Sequence, residues 1–342
     1  MGAMGLGLGL AFGRKGGGNP PPPASVASPV QGTDLTAIWN KQYSGTGPRS
    51  AYSNGVWNGA TPGTGGTTTG IPTYLVNKGF MWSNASSLYI DVTTTNVSVE
   101  NYDFTGAPLI VVNGSTGSLT LTDCKMPALG INSPRNINHN PQASSTMTLT
   151  CSYCLFDVSV FYVDYGTQVF SYCTFSNQIQ ELGGASNTAS VTIDNCYIPG
   201  GGCNPPANSH VEYIQYNANS PGVYTFSNNM CKLNGGGQAS LSPTTPNYGW
   251  TGVNTAPVGT GTVAISNSIF IGLDEVNANP LNPGRIAYVY QYGQLTPSSI
   301  TNCVMQIGNL GYSSNGDSGA NRPTVSGNRT YTNAALNAGD FG

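Results

Sequence analysis

Charge is what this chain has least of. Of its 342 residues only 7% are Asp, Glu, Lys or Arg, the net charge is −3, and there are 2 His. Ordinary soluble domains carry roughly 25% charged residues. The deficit excludes a nucleic-acid partner, which needs a basic patch or stripe. It is not a mark of disorder, because disordered chains combine high net charge with few aromatics, and this one has 19 Tyr and 10 Phe. No apolar run approaches the roughly 18–20 residues of a membrane span. No stretch holds a sustained helical period. No nucleophile elbow and no calcium-loop spacing occurs, so we expect neither a metal nor a cofactor.

Turn chemistry is abundant, with 46 Gly and 23 Pro. Between the turns lie short strands rich in Thr, Val, Ile and Tyr, and one cassette recurs. Ser190-Val191-Thr192-Ile193-Asp194-Asn195-Cys196-Tyr197-Ile198 is an alternating strand, an Asn bend, a small residue, and an apolar residue two places on. The apolar residue before the bend recurs at Val99, Leu121, Cys151, Phe170, Ile193, Phe226, Ile265, Ile300 and Val325. A basic period of about 20–25 residues with longer insertions is the signature of a solenoid.

Two places after each marker stand Asn101, Asp123, Tyr153, Tyr172, Asn195, Asn228, Asn267, Asn302 and Gly327. Apart from the two Tyr, these are the residues that tolerate left-handed backbone at least cost. A corner is therefore predicted at this place in every coil. The next positions, Tyr102, Cys124, Cys154, Cys173, Cys196, Asn229, Ser268, Cys303 and Asn328, would form an inward ladder about 4.8 Å apart, the spacing of neighbouring strands. A second inward ladder would run through Phe104, Met126, Phe156, Phe175, Ile198, Cys231, Phe270, Met305 and Thr330. One coil cannot bury its apolar side, whereas a stack makes a continuous core. The pattern predicts an all-β parallel β-helix. A β-sandwich is the competing architecture, but it does not require the same corner residue at each repeat.

Eight Cys would suit a secreted disulfide framework. Five of them fall on the inward ladder, where Cys acts as a small hydrophobe, so mostly reduced thiols are expected. Cys151-x-x-Cys154 reads as a marker followed by a ladder position rather than a metal or redox pair. For Cys203 and Cys231 the redox state stays open.

Taken in order, residues 1–18 form an N-terminal anchor peptide. Gly5, Leu6, Leu8, Leu10 and Phe12 belong to an alternating apolar run, and Arg14 and Lys15 follow it. A signal peptide places its positive charge before the apolar core, so docking on a partner is expected instead; folding back on its own chain is the alternative. Residues 19–30 are a Pro/Gly linker and 31–87 a capping region containing Trp39, Trp57 and Trp82. The β-helix is expected over 88–335, and 336–342 form a C-terminal tail.

Polar groups gather on the strands after the Cys corner. Cleavage of a glycan by two carboxylates needs them about 5–9.5 Å apart, and Asp164, Glu181 and Glu212 are the candidate catalytic acids. Tyr162, Tyr165, Tyr213 and Tyr216 offer flat surfaces to sugar rings and bond through their hydroxyls. His210 is a candidate base or hydrogen-bonding group. Gln215, and Tyr248 and Trp250 in a long insertion, complete the candidate glycan-binding set. The competing readings of the same face are a solvated surface and a subunit interface.

The cassette Val/Ile-x-Ile/Phe-x-Asn-Cys/Asn-x-Ile/Phe resembles that of the right-handed parallel β-helix proteins of the pectin-lyase-like class. His210-Val211-Glu212-Tyr213-Ile214-Gln215 looks like the His-x-acid-x-x-Gln stretch of some of its members. An apolar Gly-rich peptide and a Pro linker ahead of a β-helix resembles bacteriophage tailspikes and other virion appendages. That resemblance implies a single-stranded, right-handed β-helix with an extended anchor arm, assembled as a homotrimer. It implies other virion proteins as partners of the arm and host cell-surface polysaccharide as partner of the β-helix. The localisation it implies is the virion, assembled in the host cytoplasm and meeting the host surface. The alternatives are a polysaccharide-degrading β-helix enzyme, hydrolase or lyase, and a bacterial surface adhesin.

Overall fold

The computed structural model describes residues 46–59, 63–84, 87–126, 137–139, 146–156, 162–163, 166–175, 179–182, 190–198, 214–218, 223–232, 251–257, 262–271, 288–291, 299–305, 324–330 and 335–336. The predicted anchor and linker, 1–30, lie outside these residues. So do Trp39, Cys203 and the tail from 337 onward.

The described elements are strands with one short helix, and they stack in rungs. Each marker is the last residue but one of a strand in a nine-stranded parallel sheet, which starts at Asn96–Glu100 and Ser118–Thr122 and ends at Ser299–Thr301 and Thr324–Ser326. After the corner, a shorter strand joins an eleven-stranded sheet that runs from Gly55–Val56 through Tyr102–Asp103 to Asn328–Thr330 and Ala335–Leu336. A third face holds Ser87–Asp91, Leu109–Asn113, Ile137–His139 and Tyr162–Val163. Beyond them, in a separate four-stranded sheet, come Ile179–Leu182, Ile214–Ala218, Thr251–Pro257 and Tyr288–Gln291. Three parallel faces repeated rung upon rung make a parallel β-helix-like solenoid.

The corners are where the repeat predicts them. All eight non-glycine corner residues have positive φ, from 48° at Asn267 to 55° at Tyr172 and Asn228, and Gly327 has 66°. The bend does not interrupt axial hydrogen bonding. Asn101 N–H donates to Thr122 O at 3.0 Å, Asp123 N–H to Ser152 O at 3.0 Å, and Asn195 N–H to Ser227 O at 3.1 Å. Gly327 closes the series for a steric reason as well, because a Cβ there would collide with Asn302 Oδ1.

The first inward ladder is buried along its whole length. Each of its thiols donates back to the carbonyl two residues earlier, as Cys173 Sγ does to Ser171 O at 3.4 Å. Each of the middle ones also reaches the marker carbonyl of the previous rung, as Cys196 Sγ does to Phe170 O at 3.5 Å. Asn at the same position makes stronger versions of these bonds. Asn229 Nδ2 donates to Ile193 O at 2.8 Å, and its Oδ1 accepts Cys196 N–H at 2.7 Å. Asn328 does the same one turn from Cys303. Small residues that bond the backbone fit here, because the bend leaves the next N–H pointing into the core. In the second ladder Phe104, Met126, Phe156, Phe175 and Ile198 are buried, and Phe156 stacks on Phe175 at 5.1 Å. Burial of each such side chain contributes about 1.5–3 kcal/mol.

The N-terminal end of the stack is covered. Thr73–Asn77, a helix too short for any periodicity to reveal, buries Leu75 and lays Tyr74 flat on Tyr102 at 5.5 Å. The Tyr74 hydroxyl takes the N–H of Glu100 at 3.0 Å and bonds its carbonyl at 3.2 Å, which blunts the edge of the first rung. Met81–Asn84 pairs antiparallel with Ser87–Asp91, and Ala335–Leu336 pairs antiparallel with Asn328–Thr330 at the other end. Every other strand pairing among the described residues is parallel, so it is the ends that change direction.

One reading is corrected. The stretch from about 233 to 258 has the look of a single long insertion, yet Thr251–Pro257 is a third-face strand that pairs with Ile214–Ala218. Its sequence, TGVNTAP, lacks the apolar alternation that marks the other strands.

Candidate functional site: the third face, the corner line and the hydroxyl face

The third face carries the candidate residues that are described. Tyr162 lies on Tyr162–Val163, in register with Asn138. Glu181 lies on the neighbouring strand Ile179–Leu182, and Gln215 and Tyr216 on the next, Ile214–Ala218. These are three successive rungs. Ile179 pairs with Ile214 and Leu182 with Tyr216, so Gln180 and Glu181 together oppose Gln215 in a bulge. Bulges re-aim side chains and are over-represented beside active sites. Gln215 continues in register to Asn254, and Tyr216 to Thr255. Asp164, Tyr165, His210, Glu212, Tyr213, Tyr248 and Trp250 lie outside the described residues, as do Gly5, Leu6, Leu8, Leu10, Phe12, Arg14 and Lys15. Of the three candidate acids, Glu181 alone is placed.

The corner line holds a feature that sequence reading missed. Residues 46–54 run along it as a strap, from the rung of Tyr172 back to the rung of Asn101. Gly47 N–H donates to Tyr172 O at 2.8 Å, and Thr46 Oγ1 meets Thr174 Oγ1 at 3.0 Å. Arg49 binds Asp123, backbone N–H to Oδ1 at 3.0 Å and Nη2 to Oδ2 at 3.3 Å. Ser50 Oγ bonds Asn101 Oδ1, and Asn54 N–H donates to Asn101 O at 3.1 Å. Tyr153 and Tyr172 stack at 5.0 Å and 9°, with the Arg49 guanidinium over the first ring. The two Tyr among the corner Asn, Asp and Gly were the signal.

Further along, Asp194 takes three donors. Its Oδ1 accepts Ser227 Oγ at 2.6 Å and Asn228 Nδ2 at 2.9 Å, and its Oδ2 accepts Asn195 Nδ2 at 2.7 Å. That carboxylate belongs to the corner ladder. Among the described residues no three His, Cys, Asp or Glu gather as a metal site, and no helix is long and apolar enough to cross a membrane. Among the described residues six Cys are free and buried, Cys151 and Cys154 among them. Burial pushes the thiols of Cys151, Cys154 and Cys173 well up, so they stay protonated and make poor nucleophiles or metal ligands.

The outer side of the nine-stranded sheet is the most regular surface among the described residues. Inward residues alternate with outward ones strand after strand. The middle outward column reads Ser98, Thr120, Thr150, Val169, Thr192, Thr225, Ala264, Ser299 and Thr324. The column on the side away from the corner includes Asn96, Ser118, Thr148, Thr167, Ser190, Val223 and Thr262. Insertions of different length in each coil leave this sheet without a register shift, unlike the third face.

Comparison of the chain with protein-family models, with curated proteins and with solved structures finds no match.

Proposed function

We propose that this chain is a virion structural appendage of the tailspike or fibre kind, fixed to the particle by its N-terminal arm and meeting host-surface polysaccharide with its β-helix. The observation that carries the reading is the third face, where Tyr162, Glu181, Gln215 and Tyr216 occupy successive rungs. Residues bearing phenol, carboxylate and amide groups on successive rungs suit a chain of sugar rings. The scaffold beneath is stiff, since a buried ladder and a corner repeat in every rung. On this reading the coil winds right-handed, as parallel crossovers do. The appendage is a homotrimer, and the apolar Gly5–Phe12 stretch with Arg14 and Lys15 engages other virion proteins. It is assembled in the host cytoplasm and works at the host surface.

The test is incorporation into particles of the full chain against a chain lacking residues 1–18. The full chain is expected to co-purify with particles and the truncated chain to stay soluble with an unchanged β-sheet circular dichroism spectrum. Normal incorporation of the truncated chain ends the proposal.

A second reading, a polysaccharide-degrading enzyme, is favoured by the bulge that holds Glu181. Its test is depolymerisation by the wild type, lost in Glu181→Gln, Asp164→Asn or Glu212→Gln with folding intact. Activity that survives all three removes it. The third alternative, a bacterial surface adhesin, would be favoured by finding the chain on cells rather than on particles.

A further inference from the structure

We propose that the outer side of the nine-stranded sheet is a second binding surface, separate from the third face, for a neutral linear polysaccharide lying along the solenoid axis. The proposal does not rest on attachment to a particle.

Charge comes first. No Lys or Arg stands at an outward position of this sheet, and the acids are Glu100 and Asp194, both in the column beside the corner. Asp194 is already satisfied by three donors, and Glu100 accepts Ser98 Oγ at 3.3 Å. The other two columns carry no charge, so an anionic polymer finds no cation there.

Hydrogen bonding comes second. Among the described residues the hydroxyls of Thr120, Thr150, Thr192 and Thr225 hold no partner, and each of these residues is partly exposed. A hydroxyl both donates and accepts, so a column of them serves sugar hydroxyls in either sense. The Thr methyls, with Val169, Val223 and Ala264, offer small apolar patches to sugar C–H faces.

Period comes third. The column repeats every rung, about 4.8 Å, close to the length of one sugar unit in an extended chain. Unbroken register over nine strands keeps hydroxyl and sugar in step. Each bond contributes little by itself, about 0.5–1.5 kcal/mol. Binding therefore has to accumulate along the chain, where each contact raises the effective concentration for the next. A second copy of the protein fits less well, because interface cores between proteins are apolar and rich in aromatics, and these columns offer neither.

The test is calorimetric titration of the full chain with cello-oligosaccharides of increasing length, at low and high salt, against Thr150→Glu/Thr192→Glu and against Lys125→Ala on the eleven-stranded sheet. Affinity is expected to rise at least tenfold from short to long oligosaccharides and to be unchanged by salt. Thr150→Glu/Thr192→Glu, with an unshifted melting temperature, should lose most of it, and Lys125→Ala should keep it. If the double variant unfolds, Thr120→Ala/Thr225→Ala replaces it, with a several-fold loss expected. No binding to neutral chains, binding to acidic polymers alone, or binding indifferent to the threonine variants overturns the proposal. Two further outcomes also overturn it. Thermal hysteresis without glycan binding would mean a surface that orders ice, and self-association lost in the double variant would mean a contact between copies. Failure of particle incorporation would leave this result untouched, so the two proposals fail separately.

Discussion

The guanidinium of Arg49 lies 3.4 Å from the centroid of the Tyr153 ring, while its Nε and backbone N–H both bind Asp123 Oδ1. One side chain thereby joins two corner residues of successive rungs and pins the strap to the solenoid. Tyr in the left-handed region costs about 1–2 kcal/mol relative to ordinary backbone. The Arg49–Tyr153–Tyr172 stack offsets that cost.

Arg49→Ala should therefore lower stability by about 1–2 kcal/mol, combining the lost cation–π contact with a carboxylate left without its cation. Arg49→Lys should recover only part, because an ammonium lacks the planar fork. Hydrogen exchange is the decisive readout. In Arg49→Ala the amides of residues 46–54 should exchange faster while those of Ser190–Asp194 do not change. Uniform acceleration across the molecule would mean that Arg49 supports the whole fold and that no separate strap exists.

Asn229→Ala should be among the most damaging single changes. It leaves the N–H of Cys196 and the carbonyl of Ile193 buried without partners, at about 1–3 kcal/mol for each unsatisfied group. Asn229→Cys should cost less, because the neighbouring rung uses Cys to bond the same pair of backbone groups. Urea melts of the two variants order them. Equal loss would show that the amide acts through volume alone.

Much of this architecture was legible in the sequence, for a physical reason. A left-handed corner restricts residue choice, and an inward position beside it restricts size, so both leave a trace in every coil. All nine predicted corners are real, and the first ladder is buried throughout. The strap was not legible, because its contacts join Arg49 to Asp123 and Tyr153 across long stretches of chain and no local pattern encodes such pairing. The helix at Thr73–Asn77 was too short to show a period. Thr251–Pro257 carries few of the apolar residues by which a strand is recognised. Of the candidate site, Glu181, Gln215 and Tyr216 lie on adjacent strands of one four-stranded sheet, and Tyr162 lies on the end strand of the five-stranded sheet. The hydroxyl columns stand on the outward half of the same alternation, where no packing constraint narrows the choice of residue.

Tyr102→Phe should stabilise the protein. The Tyr102 hydroxyl is buried and has no hydrogen-bond partner among the described residues, and burial pushes its pKa up to about 12. Removing an unsatisfied buried hydroxyl while keeping the ring on Tyr74 and Phe104 should return up to about 1–3 kcal/mol. A raised melting temperature is the expected result. A lower one would mean that the hydroxyl has a partner in the folded protein, such as a bound water.

Alkaline pH should unfold the chain early. Burial holds Cys151, Cys154 and Cys173 well above the usual thiol range and Cys303 up to about 12. Cys124 is also raised, first through its hydrogen bond with the Cys154 thiol and then by burial. In the unfolded chain the same thiols titrate near about 8.5. Between that value and the folded pKa the unfolded state binds fewer protons than the native state, so stability falls as pH rises. Each thiol removes about 1.4 kcal/mol per pH unit across that window, and below about pH 8 none removes any. Cys303→Ser should flatten the slope by one proton, since Ser does not ionise there and Ser268 already fills the equivalent position with a bond from its Oγ to Ser266 O at 2.8 Å. Melting temperatures of wild type and Cys303→Ser from neutral pH to about pH 10.5 measure the difference. Parallel curves would mean that Cys303 ionises as easily in the fold as out of it, which a thiol buried in the ladder cannot do.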